Sequence, residues 1–300
     1  MTSDDFTPDP EPDAWISLQP GTPTQALPLV CDSPHSGTRY PADFAHSVDR
    51  GVLRAAEDTH IERLWSAAPA LGATLLQAHF PRSYLDTNRA LTDLDATMFD
   101  AAWPTSADAP LAPSARTRDL GMGLVWRQTP SGQAIYDRRL SVAEVQRRIE
   151  RCWRPYHAAL QQACDQALQR WGCCYHLNLH SMPSNAYQRL GLPATRPLAD
   201  FVLGDLHGSS CDPAFTDAVR RAIEARGYSV SVNDPYAGQE LVRLHGQPAQ
   251  RRHSLQVELN RALYMDEATR EPAAGFEPLR RDIGHLLDDI TGFVRAQAGA

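Results

Sequence analysis

Across 300 residues the chain carries 36 acidic side chains against 29 lysines and arginines, a formal charge of -7. That balance excludes wholesale binding to nucleic acid or to an anionic membrane, both of which need a positive field, but leaves room for a small anionic ligand held by a few local arginines. Hydrophobic residues make up 42% of the sequence, enough for one large buried core, while the longest apolar runs, at 27–31 and 73–78, are far shorter than the roughly 20 residues that cross a bilayer.

The stretch from Met1 to Asp13 is acidic and proline-rich, where a secretory leader would be basic and then apolar. A disordered tail over 1–14, a single domain over 15–300 and a cytoplasmic location are therefore expected. The cysteines, Cys31, Cys152, Cys164, Cys173, Cys174 and Cys211, include no CxxC pair and read as reduced, mostly buried thiols.

A first strand is predicted at 27–33, followed by a helix over 48–71 and a strand at 73–80. The segment 98–132 breaks this rhythm with Pro, Ala, Ser, Thr and Gly, and is expected to be a loop-rich insertion of the kind that can cover a site. Ser141 and Glu144 form a capping box for a long helix with apolar residues at 142, 145, 149, 152, 153, 156, 160, 164, 168 and 171. Pro155 should kink or divide it. Strands at 175–181 and 200–206 precede a helix capped by Asp212, opened by Pro213 and stopped at Gly227. Strands at 229–233 and 254–260 and a last helix over 278–296 complete the pattern. Alternating strands and helices predict an α/β sandwich with a mixed, largely parallel sheet, whose ligands gather at the carboxyl ends of the strands.

Polar residues that interrupt or end apolar strands mark where chemistry can occur, because a buried charge is costly unless it is paired or ligates a metal. His35 sits in a Pro-His-Ser-Gly turn after the first strand, His180 near the end of Tyr175-His-Leu-Asn-Leu-His180, and Glu258 inside Ser254-Leu-Gln-Val-Glu258. Asp58 follows Glu57 on the predicted 48–71 helix, on the same face as Ile61 and Trp65. Each has a plain structural alternative: a strand-end histidine can be a hydrogen-bonding core residue, a strand glutamate can face water, and a helix aspartate can edge a buried face. Two imidazoles and a carboxylate also make a catalytic zinc site with one position open to water, and a further glutamate is what such a site uses as base. The spacing alone does not choose between these readings.

Pro34-His-Ser-Gly37, the segment from Asp58 to Trp65, Asp86-Thr-Asn88-Arg89, Trp153-Arg-Pro-Tyr-His157, Leu179-His180-Ser181, Gly204-Asp-Leu-His-Gly208 and Gln256-Val-Glu258, in that order, resemble the N-formylglutamate amidohydrolase family over roughly residues 27 to 267. The resemblance implies a phosphorylase/hydrolase-like three-layer α/β sandwich related to zinc exopeptidases, with one Zn2+ on His35, Asp58 and His180 and Glu258 as general base. It further implies that Asn88 and Arg89 hold the carboxylate of an N-formyl or other short N-acyl acidic amino acid, with N-formyl-L-glutamate the first expectation. A guanidinium suits that task because it binds a carboxylate through two parallel hydrogen bonds. Arg243 and His245 are further substrate-binding candidates, and His207 and His253 are candidates for polarising the scissile carbonyl. The chain departs from the family at Ala90, where relatives often have proline, and at 120–126, and Glu57 beside Asp58 leaves two choices of carboxylate ligand. A hydrolase of other N-acyl amino acids or of C-terminal residues, and a non-catalytic binder of a small acidic ligand, are the alternatives. The expected partner is the small substrate, with no nucleic acid or membrane and a monomer or homodimer as the working form.

Overall fold

Alternation of apolar and polar side chains along a few strands organises this protein, which is described by a computed structural model over residues 14–104 and 110–299. The tail expected at 1–14 lies outside the described residues except for Ala14, as do 105–109 of the loop-rich segment. Seven strands, β1 (Ile16–Gln19), β2 (Leu29–Ser33), β3 (Thr74–Ala78), β4 (Cys174–Met182), β5 (Phe201–Gly204), β6 (Val230–Val232) and β7 (Arg252–Asn260), form one sheet in the order β1-β3-β2-β4-β7-β5-β6. β2 pairs in parallel with β3 and β4, β4 with β7, and β5 with β6, while β5 runs antiparallel to β7. The sheet is mixed, and six of its strands stand where the sequence predicts them; β1 carries too short a pattern to be read.

The helices of the described residues are α1 (Arg50–Leu53), α2 (Ile61–Leu64), α3 (Ala115–Leu120), α4 (Val142–Arg148), α5 (Arg154–Trp171), α6 (Ala186–Arg189), α7 (Pro213–Glu224), α8 (Glu240–His245) and α9 (Phe276–Ala298). The chain divides into two compact units, one of Leu18–Pro34, Asp58–Gln77 and His157–Ala300, the other of Met1–Ser17, His35–Glu57 and Ala78–Tyr156.

In the first unit, one sheet face is apolar. Leu29 and Cys31 of β2, Tyr175, Leu177 and Leu179 of β4, Phe201 and Leu203 of β5, and Leu255, Val257 and Leu259 of β7 all join one buried cluster. Period-two alternation puts them on a common side. α7 contributes Phe215, Val219 and Ile223 to it, and α9 contributes Leu279, Ile283, Leu286, Leu287, Ile290 and Val294. Those are the three-and-four spacings of a single helix stripe. Each such side chain contributes about 1.5–3 kcal/mol on burial, so the sheet's position against these helices is strongly fixed.

The opposite face of β2, β4 and β7 is also buried but polar: Asp32, His176, Asn178, His180, Ser254, Gln256 and Glu258 are each at most 8% exposed. α8 lies on this side, its His245 ring 5.7 Å from that of His176.

The helix expected over 48–71 is replaced by short pieces. α1 passes into a 3-10 turn, Glu57 is extended, and His60 takes a left-handed conformation with φ 73° before α2 begins. Asp58 is therefore a turn residue and not a helix-face residue. A non-glycine residue in that region costs on the order of 1 kcal/mol. The turn is held by the Tyr264 hydroxyl donating to the Thr59 carbonyl at 3.1 Å and His60 Nε2 donating to the Arg270 carbonyl at 2.9 Å. Of the expected capping box only the N-cap half forms, Ser141 Oγ accepting from the Glu144 amide at 3.1 Å, while the Glu144 carboxylate turns to Arg138 and Arg148. Between α4 and α5 the chain widens into a π-helical stretch, Ile149–Trp153, just before Pro155. A proline has no amide hydrogen to continue the α ladder, and a wider turn accommodates it.

In the second unit, Arg148 is fully buried, donating to Glu144 Oε1 at 2.5 Å and to the Tyr136 hydroxyl at 2.7 Å, with its guanidinium 4.3 Å from the Tyr84 ring centre. Asp93 accepts from the Ser114 amide at 2.6 Å and the Thr117 hydroxyl at 2.5 Å, tying α3 of the loop-rich segment to the chain before it.

Candidate active site

Because β2, β4 and β7 are neighbouring parallel strands, their carboxyl ends lie at one edge of the sheet. After β2 the chain crosses to β3 on one side, and it later returns to β4 on the other. Such a switch in strand order is where open α/β sheets bind ligands.

His180 stands on β4 directly opposite Glu258 on β7, so the two side chains share a face on strands about 4.8 Å apart. Asp58 reaches His180 from the turn before α2, its Oδ2 lying 3.1 Å from His180 Nδ1. Arg261, just beyond β7 and buried, donates from its terminal nitrogen to Asp58 Oδ1 at 2.8 Å and from Nε to Ser181 Oγ at 3.0 Å. His35 lies two residues beyond β2. His35, Asp58 and His180 are all buried and bring one ligand atom each to within 4.8 Å of one another.

The Pro-His-Ser-Gly turn that carries His35 needs its glycine, since a side-chain carbon at Gly37 would sit 2.3 Å from the Phe80 carbonyl oxygen. Asp86 backs the imidazole, accepting from His35 Nε2 at 2.7 Å, and also accepts from the Asn88 amide at 3.0 Å and Arg82 at 3.0 Å. Burial works to raise the Asp86 pKa, but His35, Arg82 and Arg89 together hold it well below the usual carboxylate range. Asp86 is thus an anion, and His35 is the donor in their bond. Arg89 is buried within the same unit, its carbonyl accepting from the Trp153 indole at 3.0 Å.

Glu57 is also fully buried but is engaged elsewhere. Its Oε1 accepts from the Tyr40 hydroxyl at 2.6 Å and its Oε2 from Arg54 at 3.2 Å. Burial, then Glu57 itself, push the Tyr40 pKa well above its ordinary value, so the phenol stays a donor. Asp58→Ala is accordingly expected to weaken metal binding in a chelator competition. Glu57→Ala should instead lower thermal stability, by about 1–3 kcal/mol for the stranded phenol and guanidinium.

Glu258 is 8% exposed and accepts from Gln256 Nε2 at 2.9 Å. The Gln256 side-chain oxygen, Oε1, also buried, has no hydrogen-bond partner among the described residues. Behind His180 runs a chain of buried bonds: His180 Nε2 to Asn178 Oδ1 at 2.7 Å, Asn178 Nδ2 to Asp32 Oδ1 at 2.8 Å, His176 Nε2 to Asp32 Oδ1 at 2.7 Å and His176 Nδ1 to Ser254 Oγ at 2.7 Å. Ser254, His176 and Asp32 would suit a nucleophilic triad by distance. All three are at most 1% exposed, so a substrate carbonyl has no approach to the serine, and the group serves structure.

Other sequence candidates are not brought to this group. His245 packs on His176, which is four residues back along β4 from His180, about 13 Å at the usual strand rise. Arg243 is 60% exposed and makes a two-pronged pair with Glu240, with both distances 2.8 Å. β5 runs against β7, so the turn with His207 after Gly204 lies beyond the level of Gln256, at the amino side of Glu258, and His253 opens β7. Among the described residues, Arg243, His245, His207 and His253 are not part of the His35, Asp58 and His180 group. Sequence reasoning passed over Asp32, Asn178, His176, Asp86 and Arg261. A signal for two of them was present, since His176 and Asn178 repeat every second residue with the predicted His180 in an otherwise apolar strand.

The class is an α/β protein with a mixed seven-stranded sheet and a buried His-Asp-His group that could hold a metal ion. Residues 27–265 match the family N-formylglutamate amidohydrolase. An N-formylglutamate deformylase of Pseudomonas aeruginosa is 33% identical over 279 residues, covering 90% of this chain and 94% of that one. One from Pseudomonas putida is 30% identical over 272 residues, 88% and 91% of the two chains. A crystal structure of N-formylglutamate amidohydrolase from Ralstonia eutropha JMP134 superposes with a TM-score of 0.91 at 52% identity, over 95% of this chain and 99% of that one. A gene product from Agrobacterium tumefaciens, at 17% identity and a TM-score of 0.58, shares the fold alone. The chain belongs to the N-formylglutamate amidohydrolase family and is an amidohydrolase. No helix of the described residues is long and apolar enough to cross a membrane.

Proposed function

We propose that this chain is a cytoplasmic zinc-dependent hydrolase that cleaves N-formyl-L-glutamate to formate and glutamate, with His35, Asp58 and His180 as ligands and Glu258 as general base. The observation that carries the reading is the buried three-residue group with a glutamate directly across the sheet from one of its members. The donor set suits zinc: two neutral imidazoles and one carboxylate are a common catalytic combination for that ion. It also fits the three-layer, exopeptidase-related architecture that the family resemblance implies.

Zinc in such a site acidifies water and polarises the amide carbonyl. The protein's own groups supply the rest. Glu258 takes the proton of the attacking water at its carboxylate and returns it to the departing amine, its lone pairs oriented by Gln256 Nε2. Asp86 holds the His35 ring through Nε2, which leaves Nδ1 as the nitrogen that ring offers. Arg261 pairs with one oxygen of Asp58, Oδ1, and leaves Oδ2 directed at His180.

Arg89 and Asn88 receive the substrate's carboxylate in this reading. Support for the arginine is its burial in the same unit as His35 and its proximity to Asp86, which together keep a fixed cation in a dry setting. Arg89→Ala is expected to raise the Michaelis constant for N-formylglutamate by the loss of a contact of about 1.5–3 kcal/mol, with Arg89→Lys recovering part of it. The decisive assay is release of formate and glutamate from N-formylglutamate by zinc-loaded protein, run beside other N-acyl amino acids. Preference for a longer acyl group would move the substrate assignment, and no hydrolysis of any of them would favour a ligand-binding role.

A further inference from the structure

The chain of bonds behind His180 has a fixed direction, which is set from its far end. Asp32 is buried, and a carboxylate can only accept hydrogens. Its Oδ1 takes one from Asn178 Nδ2 and one from His176 Nε2. This settles which way the Asn178 amide points, a choice that an amide's near-symmetric shape leaves open. With its NH2 spent on Asp32, Asn178 turns its oxygen to His180 Nε2 at 2.7 Å. An amide oxygen accepts, so Nε2 must carry a hydrogen. The lone pair of a neutral His180 is then on Nδ1, the atom that faces Asp58 Oδ2 at 3.1 Å. For the neutral ring two acceptors face each other there, an arrangement that a metal ion held between them satisfies.

We propose that Asp32 is a positioning residue for the metal: acting through Asn178, it holds His180 in the Nε2-protonated tautomer and commits Nδ1 to the ion. The assignment rests on the zinc reading above. Asp32 lies two hydrogen bonds from the imidazole and touches neither ion nor substrate. Its role is to orient Asn178, and that of Asn178 is to orient the ring. Ser254 and His176 complete the chain by satisfying the nitrogens of the second imidazole, so no donor or acceptor along it is reversible without stranding another.

The test begins with wild-type protein carrying 15N-labelled histidine, with the His180 resonance identified by its loss in His180→Asn. Long-range proton–nitrogen NMR of the zinc-loaded protein should show a protonated Nε2 and a metal-bound Nδ1 for that ring. Zinc on Nε2 would overturn the proposal without any variant having to fold. Asn178→Leu and Asp32→Leu should each raise the zinc dissociation constant, measured by chelator competition, by about 10–100-fold. Asp32→Asn should do less, because its amide oxygen can still accept from both neighbours at the Oδ1 position. Folded Asn178→Leu and Asp32→Leu proteins with wild-type zinc affinity would refute the positioning role. His180→Ala in the same competition separates the two levels. If it retains zinc, the metal reading itself is wrong, whereas loss in His180→Ala with no loss in the other two rejects only the relay.

Discussion

Glu258→Gln is expected to fold, to hold metal and to bind substrate, yet to lose about 100-fold or more in turnover. The substitution preserves volume and most hydrogen bonding on a side chain that is 8% exposed, so packing gives no reason for a large stability change. What disappears is the proton acceptor. Gln256 donates to Glu258 Oε1 at 2.9 Å, and glutamine at 258 can present its own oxygen to that donor, which keeps the local bond. Turnover and metal content should be measured on the same preparation. Near-normal turnover in a folded, metal-loaded variant would remove Glu258 from the chemistry.

The second large effect is expected at the ligands. Wild-type protein should carry close to one divalent ion per chain, as one three-residue group is present among the described residues. His35→Ala and His180→Ala should each abolish stable occupancy and hydrolysis with it, since a two-donor remnant cannot hold the ion against a chelator. Elemental analysis after dialysis against a chelator reads this directly. His35→Ala should also release Asp86 from its 2.7 Å bond, while leaving that carboxylate its bonds to Arg82 and the Asn88 amide. The variant is therefore expected to stay folded. Full occupancy in both variants would send the search for ligands elsewhere.

Much of the sheet was legible because its strands carry short apolar runs or apolar residues at every second position, bounded by turn residues. β1, four residues with an exposed end, offered no such run. The 48–71 helix was misjudged for a physical reason: its apolar spacing is genuine, with Ile61 and Leu64 buried, but the chain breaks at a left-handed His60 whose cost is met by partners near 264 and 270. Contacts two hundred residues away cannot be read from a local window. The same limit hid Asp86 behind His35 and Arg261 behind Asp58, since what matters there is a pairing across the sequence. His35, Asp58 and His180 were each visible as polar residues in apolar surroundings, but only the fold shows that they meet. Arg243 and His245 show the converse situation: a glycine-flanked segment with two cations looks like a binding loop in the sequence, and in the fold α8 pairs Arg243 with Glu240 and packs His245 beside His176.

The strict two-sidedness of β4 makes that strand unusually intolerant of length changes. Deleting Leu177 would shift everything upstream of it by one position, sending His176 to the apolar face of the sheet and pulling Tyr175 into the place of a hydrogen-bonded imidazole. A point substitution in β4 can be absorbed by its neighbours, but a slip places charge in oil and oil among charges at several positions at once. Among relatives of this protein, insertions and deletions should therefore collect in the connections and stay out of β4 and β7, even where the side chains themselves have drifted.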